Sequence, residues 1–331
     1  MTENVVHEAA SETTLSPREL DTAQILVNKV AKNVERVIFG KRQAVDLMLV
    51  GLLADGHVLL DDVPGVGKTM LARALARSIS ADFRRIQFTP DLLPADVTGS
   101  NTFNQKTTEF TFRRGPIFAH IVLADEINRT SPRTQSALLE GMEERQVTVD
   151  GVTYPLPRPF TVIATQNPIE HQGTYDLPEA QLDRFMLRIK IGYPAPEVEA
   201  EILEAQREVH PLNGLEAVCS TQDIIALQEQ VRRIHVKGSL RKYIAEMSAM
   251  SREHRDVLVG VSVRASQQLM HASQAYTLLS HRNYVMPDDI QTLAPACLCH
   301  RLVLKPEARL AGITEESVVA SLLRQVPVPL Q

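Results

Sequence analysis

The sequence predicts an α/β domain, a five-stranded parallel sheet between helical layers, followed by an all-helical domain. Three observations carry this. A short apolar strand at 57–60 runs through a glycine loop into a helix. A second apolar run, Ile121-Val122-Leu123-Ala124, ends in Asp125-Glu126. After the break Gly192-Tyr193-Pro194-Ala195-Pro196 only helical periodicity remains. The expected extents are a disordered tail at 1–15, an α/β core at 16–193 and a helical domain at 194–331.

Ser16-Pro17 opens the first helix, with Ser16 as N-cap, and Phe39-Gly40 closes it. A second helix spans about 42–54. The strand 57–60 then leads into Pro64-Gly65-Val66-Gly67-Lys68-Thr69-Met70, which fits the phosphate-binding template G-x-x-x-x-G-K-[ST] except that Asp62 replaces its first glycine. Gly65 and Gly67 let successive N–H groups curl inward, and the following helix adds partial positive charge at its start. This cradle suits a triphosphate. Lys68 would reach the β- and γ-phosphates, and the Thr69 hydroxyl would hold Mg²⁺. A carboxylate at position 62, by contrast, is unfavourable at the mouth of an anion site.

A second strand is expected at 84–88, and the Thr/Phe-rich stretch 101–113 alternates as a β-hairpin does. The run ending in Asp125-Glu126 reads as a central parallel strand delivering carboxylates to its C-terminal edge. Asp125 would hold Mg²⁺ and Glu126 would polarise an attacking water. A helix follows from Pro132 to about Glu144. Asp150-Gly151 turns a second hairpin at 146–158. The strand 160–165 ends in Gln166-Asn167, an amide beside the γ-phosphate position, and the fifth strand is 186–191. Helices are then expected at about 196–209, 221–235, 239–254, 264–280, 287–303 and 314–325. Cys297, Cys299 and His300 invite a metal reading, but residues two apart on a helix do not share a face and no second ligand pair is present.

Of 331 residues, 35 are Lys or Arg and 40 are Asp or Glu, a net charge of −5 that argues against a general nucleic-acid binder. Three cysteines are too few for a disulfide framework and suit a reducing compartment. There is no 18-residue apolar run, and the polar, acidic first residues do not resemble a signal peptide, so a cytoplasmic protein is expected. No N-K-x-D string, which would read guanine, occurs.

Taken in order, these motifs resemble the AAA+ ATPases, with hairpins similar to the helix-2 and pre-sensor-1 inserts. The wording is nearest the MoxR family in L-L-D-D-V-P-G-V-G-K-T-M-L-A-R-A-L-A, F-T-P-D-L-L-P-A-D-V-T-G, G-P-I-F-A-H-I-V-L-A-D-E-I-N-R, A-T-Q-N-P-I-E and L-P-E-A-Q-L-D-R-F, over about residues 34–308. MoxR proteins look like this chain at Asp62. The resemblance implies an αβα sandwich with a helical lid. It makes Lys68 and Thr69 the Walker A pair, Asp125 and Glu126 the Walker B pair, Asn167 sensor 1, Arg184 an arginine finger and Arg264 sensor 2. Val263 stands where the family more often has proline before that arginine. Also implied are ATP and Mg²⁺, a homo-oligomeric ring (a hexamer), and remodelling, activation or metal or cofactor loading of a client with a von Willebrand factor A partner. The alternatives are a magnesium-chelatase-like motor subunit and a DNA-acting motor, for which Lys106, Arg113, Arg114 and Arg158 in the hairpins could line a basic pore.

Overall fold

Alternation within the strands decides the layers. In the computed structural model, Val58, Leu60, Ile121, Leu123 and Ile163 pack into one apolar cluster, and Leu59, Val122, Ala124, Val162 and Ala164 into another. Successive side chains leave opposite faces of a strand, so a strand that is apolar throughout must be covered on both sides. The structure describes residues 14–106, 108–167, 175, 177–205, 207 and 210–329. Most of the expected tail lies outside these residues. Its last residue, Leu15, is buried in the core.

The chain runs α1 (Pro17–Glu35), α2 (Arg42–Leu53), β1 (Val58–Asp61), α3 (Lys68–Ser78), β2 (Phe83–Gln87) and α4 (Pro94–Thr98). The first hairpin, β3 (Gly99–Asn104) and β4 (Glu109–Arg114), leads to β5 (Ile121–Asp125) and α5 (Pro132–Glu144). The second hairpin, β6 (Gln146–Val149) and β7 (Val152–Pro155), leads to β8 (Thr161–Gln166), α6 (Glu179–Leu182) and β9 (Leu187–Ile189). Ser16 caps α1 reciprocally with Glu19: the Glu19 N–H donates to Ser16 Oγ and the Ser16 N–H to Glu19 Oε2.

The sheet order is β2-β5-β8-β1-β9, all parallel. The three central strands end in Asp125, Gln166 and Asp61, and the edge strand β2 beside them ends in Gln87. Helices α1, α2 and α3 contribute to the cluster on one face, and α4 and α5 to that on the other. The two hairpins brace each other: Phe112 stacks on Tyr154 with ring centroids 4.1 Å apart, and the Asn101 side-chain amide donates to Asp150 at 2.6 Å.

The C-terminal part comprises α7 (Pro196–Ala205), α8 (Thr221–Arg232), α9 (Gly238–Glu253), β10 (Val257–Val259), α10 (Val263–Leu279), α11 (Pro287–Leu298), β11 (Val303–Leu304), α12 (Pro306–Leu310) and α13 (Glu315–Gln325). Among the described residues it is mainly helical, with the short antiparallel ribbon β10–β11 and a single β-bridge between His235 and Tyr284. Expected to reach 303, α11 stops at 298 and gives way to a 3-10 turn. There the Arg301 guanidinium turns back to the carbonyl of Cys297, 2.5 Å away, and so satisfies a helix-end acceptor. One apolar cluster runs without interruption from α1–α3 into α8–α11 and α13, so the lid and the α/β core share packing. Among the described residues no helix is long and apolar enough to cross a membrane.

Candidate active site

Parallel pairing places the ends of β5, β8 and β1 along one edge. Leu60 pairs with Thr165, Asp61 with Gln166, and Ala124 with Ala164. The glycine loop leaves β1 at this edge. Gly65 and Gly67 have φ of +85° and +92°, and no atom lies within 4 Å of where a Cβ would stand on either, so backbone conformation and not crowding requires glycine. Helix α3 begins at Lys68, with Thr69 and Met70 in its first turn.

Asp62 does not face the cradle's mouth as an unpaired charge. Its Oδ2 accepts the N–H groups of Ile191 and Gly192, each at 2.6 Å, and its Oδ1 accepts that of Val63 at 2.8 Å. The carboxylate pins the loop to the chain leaving β9, which removes the objection to it. The Lys68 ammonium donates to the Asp62 carbonyl at 2.5 Å and to the Gln166 carbonyl at 3.0 Å. Its pKa is pulled below the ordinary lysine value by burial, against the opposing pull of Asp62, Asp125, Asp61 and Glu126. An arriving phosphate would favour the charged form.

Asp125 and Glu126 are held differently. Asp125 Oδ1 accepts the Thr165 hydroxyl at 2.6 Å, while Oδ2 accepts Arg85 Nε at 2.9 Å and a second Arg85 N–H at 2.6 Å. Glu126 sits at φ +57°, the left-handed region that non-glycine residues seldom adopt, and its N–H donates to Thr165 Oγ1 at 2.8 Å. Its Oε2 accepts Gln87 Nε2 at 2.7 Å and Arg129 at 2.9 Å. Asn167 is buried one residue beyond Gln166. Lys68, Thr69, Asp125, Glu126 and Asn167 therefore belong to one strand edge.

Arg184 and Arg264 do not. Arg184 precedes β9, and the Met186 N–H donates to the carbonyl of His57, the residue before β1. Both therefore lie at the N-terminal edge of the sheet, opposite the cradle. Arg264, in the first turn of α10, meets Arg184 there. Arg184 Nε lies 3.0 Å from Glu143 Oε2, and Arg264 pairs with Oε1 of the same carboxylate. Neighbouring Asp183 accepts the Ser262 hydroxyl at 2.9 Å and lies 3.1 Å from the buried Arg301.

Sequence reasoning missed Arg85, Gln87, Thr165, Asp183 and Glu143, which all act across the fold. The one local sign is that Arg85 and Gln87 are two apart on a strand and so share a face. Cys297, Cys299 and His300 lie inside the lid: burial pushes both thiols up to about 12, and the His300 ring pairs with the Phe185 carbonyl at 2.9 Å.

Residues 57–187 match the family model of the ATPase family associated with various cellular activities (AAA), and 249–322 match the AAA lid domain. The uncharacterized protein YeaC of Bacillus subtilis is 56% identical over 92% of this chain and 96% of its own length. Chaperone MoxR1 of Mycobacterium tuberculosis is 43% identical over 89% of this chain and 80% of its own. A crystal structure from Cytophaga hutchinsonii, described as a candidate ATPase, superposes with a TM-score of 0.88 at 37% identity, covering 95% of this chain and 98% of that one. The motifs, the strand order and these likenesses agree, and the chain belongs to the MoxR family of AAA+ ATPases, enzymes that hydrolyse ATP.

Proposed function

We propose that the chain works as a cytoplasmic hexameric ring that spends ATP on remodelling, activating or metal- or cofactor-loading a client protein, together with a von Willebrand factor A partner. The chaperone name of the Mycobacterium relative and its match over most of this chain favour this over a chelatase-like or DNA-acting motor. The observation that carries it is the division of the site between the two edges of one sheet.

At the cradle edge the loop from Pro64 through Gly65, Val66 and Gly67 to Met70 would wrap the phosphates, with Lys68 neutralising the β- and γ-oxygens. A cleft of about 480 Å³ beside it, lined by Gly40, Lys41, Ala44, Ile191 and, from the lid, Pro295 and Ala296, would take the base. Thr69 and Asp125 offer the hard oxygen donors that suit Mg²⁺ and would hold it, and Asp125 is already oriented by Thr165. Bound there, the ion would neutralise charge developing on the phosphates. Glu126, held by Gln87 and Arg129, would orient and deprotonate the attacking water, and Asn167 would position it beside the γ-phosphate. Arg184 and Arg264, on the far edge, would serve the nucleotide of the next copy, since a heterologous ring contact brings that edge against a neighbour's cradle.

Sedimentation of Glu126→Gln with ATP and Mg²⁺ tests the ring. A variant that binds but does not turn over should accumulate as one species of hexamer mass and dissociate on EDTA addition. A monomer at every nucleotide concentration would end the proposal.

A further inference from the structure

We propose that Glu143 is the positioning residue for the paired guanidiniums: its carboxylate holds Arg184 and Arg264 together and aims them at the nucleotide of a second copy of this chain. The inference rests on the reading that those two arginines act across a subunit interface.

The backbones are brought together first. Ser262 caps α10, accepting the Ala265 N–H at 3.0 Å, and its hydroxyl donates to Asp183. Arg301, almost wholly buried, ties Asp183 and the Phe185 carbonyl to the lid. Residue 184 of the core and residue 264 of the lid are thereby fixed side by side. Two guanidiniums at such a spot repel each other, and Glu143 resolves the conflict by giving one oxygen to each. Each arginine carries five N–H donors. Arg184 faces the carboxylate with Nε at 3.0 Å, an ion pair and not an aligned hydrogen bond, and Arg264 is engaged through a single terminal nitrogen. The carboxylate can therefore stay in place while both side chains meet a phosphate.

The three side chains are 28% to 39% exposed, so the cluster adds little to folding stability. Its worth lies in orientation. Helix α5, 13 residues and about 20 Å long, starts at Pro132, beyond the 3-10 turn that follows Glu126, and ends at Glu144, next to Glu143. With that turn it links the segment of Glu126 to the carboxylate that holds the two arginines.

The test is a set of mixing experiments on the full chain. Glu143→Ala should keep its ATP affinity, KM and melting temperature and lose about tenfold or more in kcat, since misaligned groups forfeit that much. Glu143→Gln, which keeps the shape and an acceptor oxygen, should fall between the two. Mixed with Glu126→Gln, Glu143→Ala should regain activity, because the Glu126→Gln subunits carry an intact arginine pair. Mixed with Arg184→Ala it should regain none, because both lesions lie on the same side of the interface. Wild-type turnover in Glu143→Ala, or recovery with Arg184→Ala, overturns the proposal. Normal hydrolysis by Arg184→Ala and Arg264→Ala would instead overturn the reading beneath it. A Glu143→Ala chain that fails to fold leaves the same mixing pattern to be read with Glu143→Gln.

Discussion

Asp62 closes on Gly192: a carboxylate in the phosphate-binding loop accepts the N–H of the residue where the α/β core hands over to the lid, at 2.6 Å. With the bonds to Ile191 and Val63 it satisfies three backbone donors, two in the chain leaving β9 and one in its own loop. Asp62→Ala would leave them without that acceptor, at about 1–3 kcal/mol for each one kept from water. The melting temperature of the nucleotide-free protein should fall by about 5 °C or more, at roughly 2–4 °C per kcal/mol. An unchanged melt would mean that the staple is dispensable.

Lys68→Ala removes the cation from a site built for anions. ATP with Mg²⁺ should raise the melting temperature of the wild type and shift the variant far less, because a ligand stabilises only the state it binds. Equal shifts would place the nucleotide elsewhere.

Gln87 acts through Glu126. Without its amide, the Glu126 carboxylate would keep the Arg129 guanidinium and gain freedom to leave the proposed water-activating position. Gln87→Ala should bind ATP normally and lose about tenfold in turnover, less than the roughly 10²-fold or greater loss expected of Glu126→Gln. A drop in ATP affinity with kcat intact would show that Gln87 serves binding.

His57 is buried, and its Nδ1 accepts the Val162 N–H at 3.0 Å, so that nitrogen must be unprotonated; Nε2 donates to the Met142 carbonyl at 3.0 Å. Burial, with Arg145 nearby, holds its pKa well below 6.5. The unfolded chain therefore takes up a proton that the folded chain refuses. The stabilisation is complete above pH 6.5 or so and is lost as pH falls below that value. Melting temperature should decline between pH 7 and pH 5, and less steeply in His57→Gln. Parallel curves would remove His57 as the cause.

How much of this was legible in the sequence follows from the range of each interaction. The central strands could be read because two-sided burial makes them apolar throughout and their polar ends are local. Strand β9 proved shorter than expected, since Asp62 takes the N–H groups of Ile191 and Gly192 from the sheet's edge. The ribbon of Val257–Val259 and Val303–Leu304 is too short for alternation to register. Nothing local distinguishes Glu143 from other helix-surface glutamates, because its two partners lie 41 and 121 residues onward (184 − 143 and 264 − 143). Asp62 reads as hostile to an anion for the same reason: two of its three hydrogen-bond donors, Ile191 and Gly192, are 129 and 130 residues away.

The central claim is that one subunit's far edge completes its neighbour's active site, and mixing two inactive variants tests it most directly. Arg184→Ala should bind ATP and fail to hydrolyse it, because the guanidinium that stabilises the transition state is worth about 10³–10⁵ in rate where such residues are known. Glu126→Gln lacks the base and keeps the arginine. In an equimolar mixture about one interface in four joins an intact Glu126 to an intact Arg184, so activity should return to roughly that fraction of wild type. Normal hydrolysis by Arg184→Ala alone, or mixed oligomers that form and stay inactive, would contradict the account.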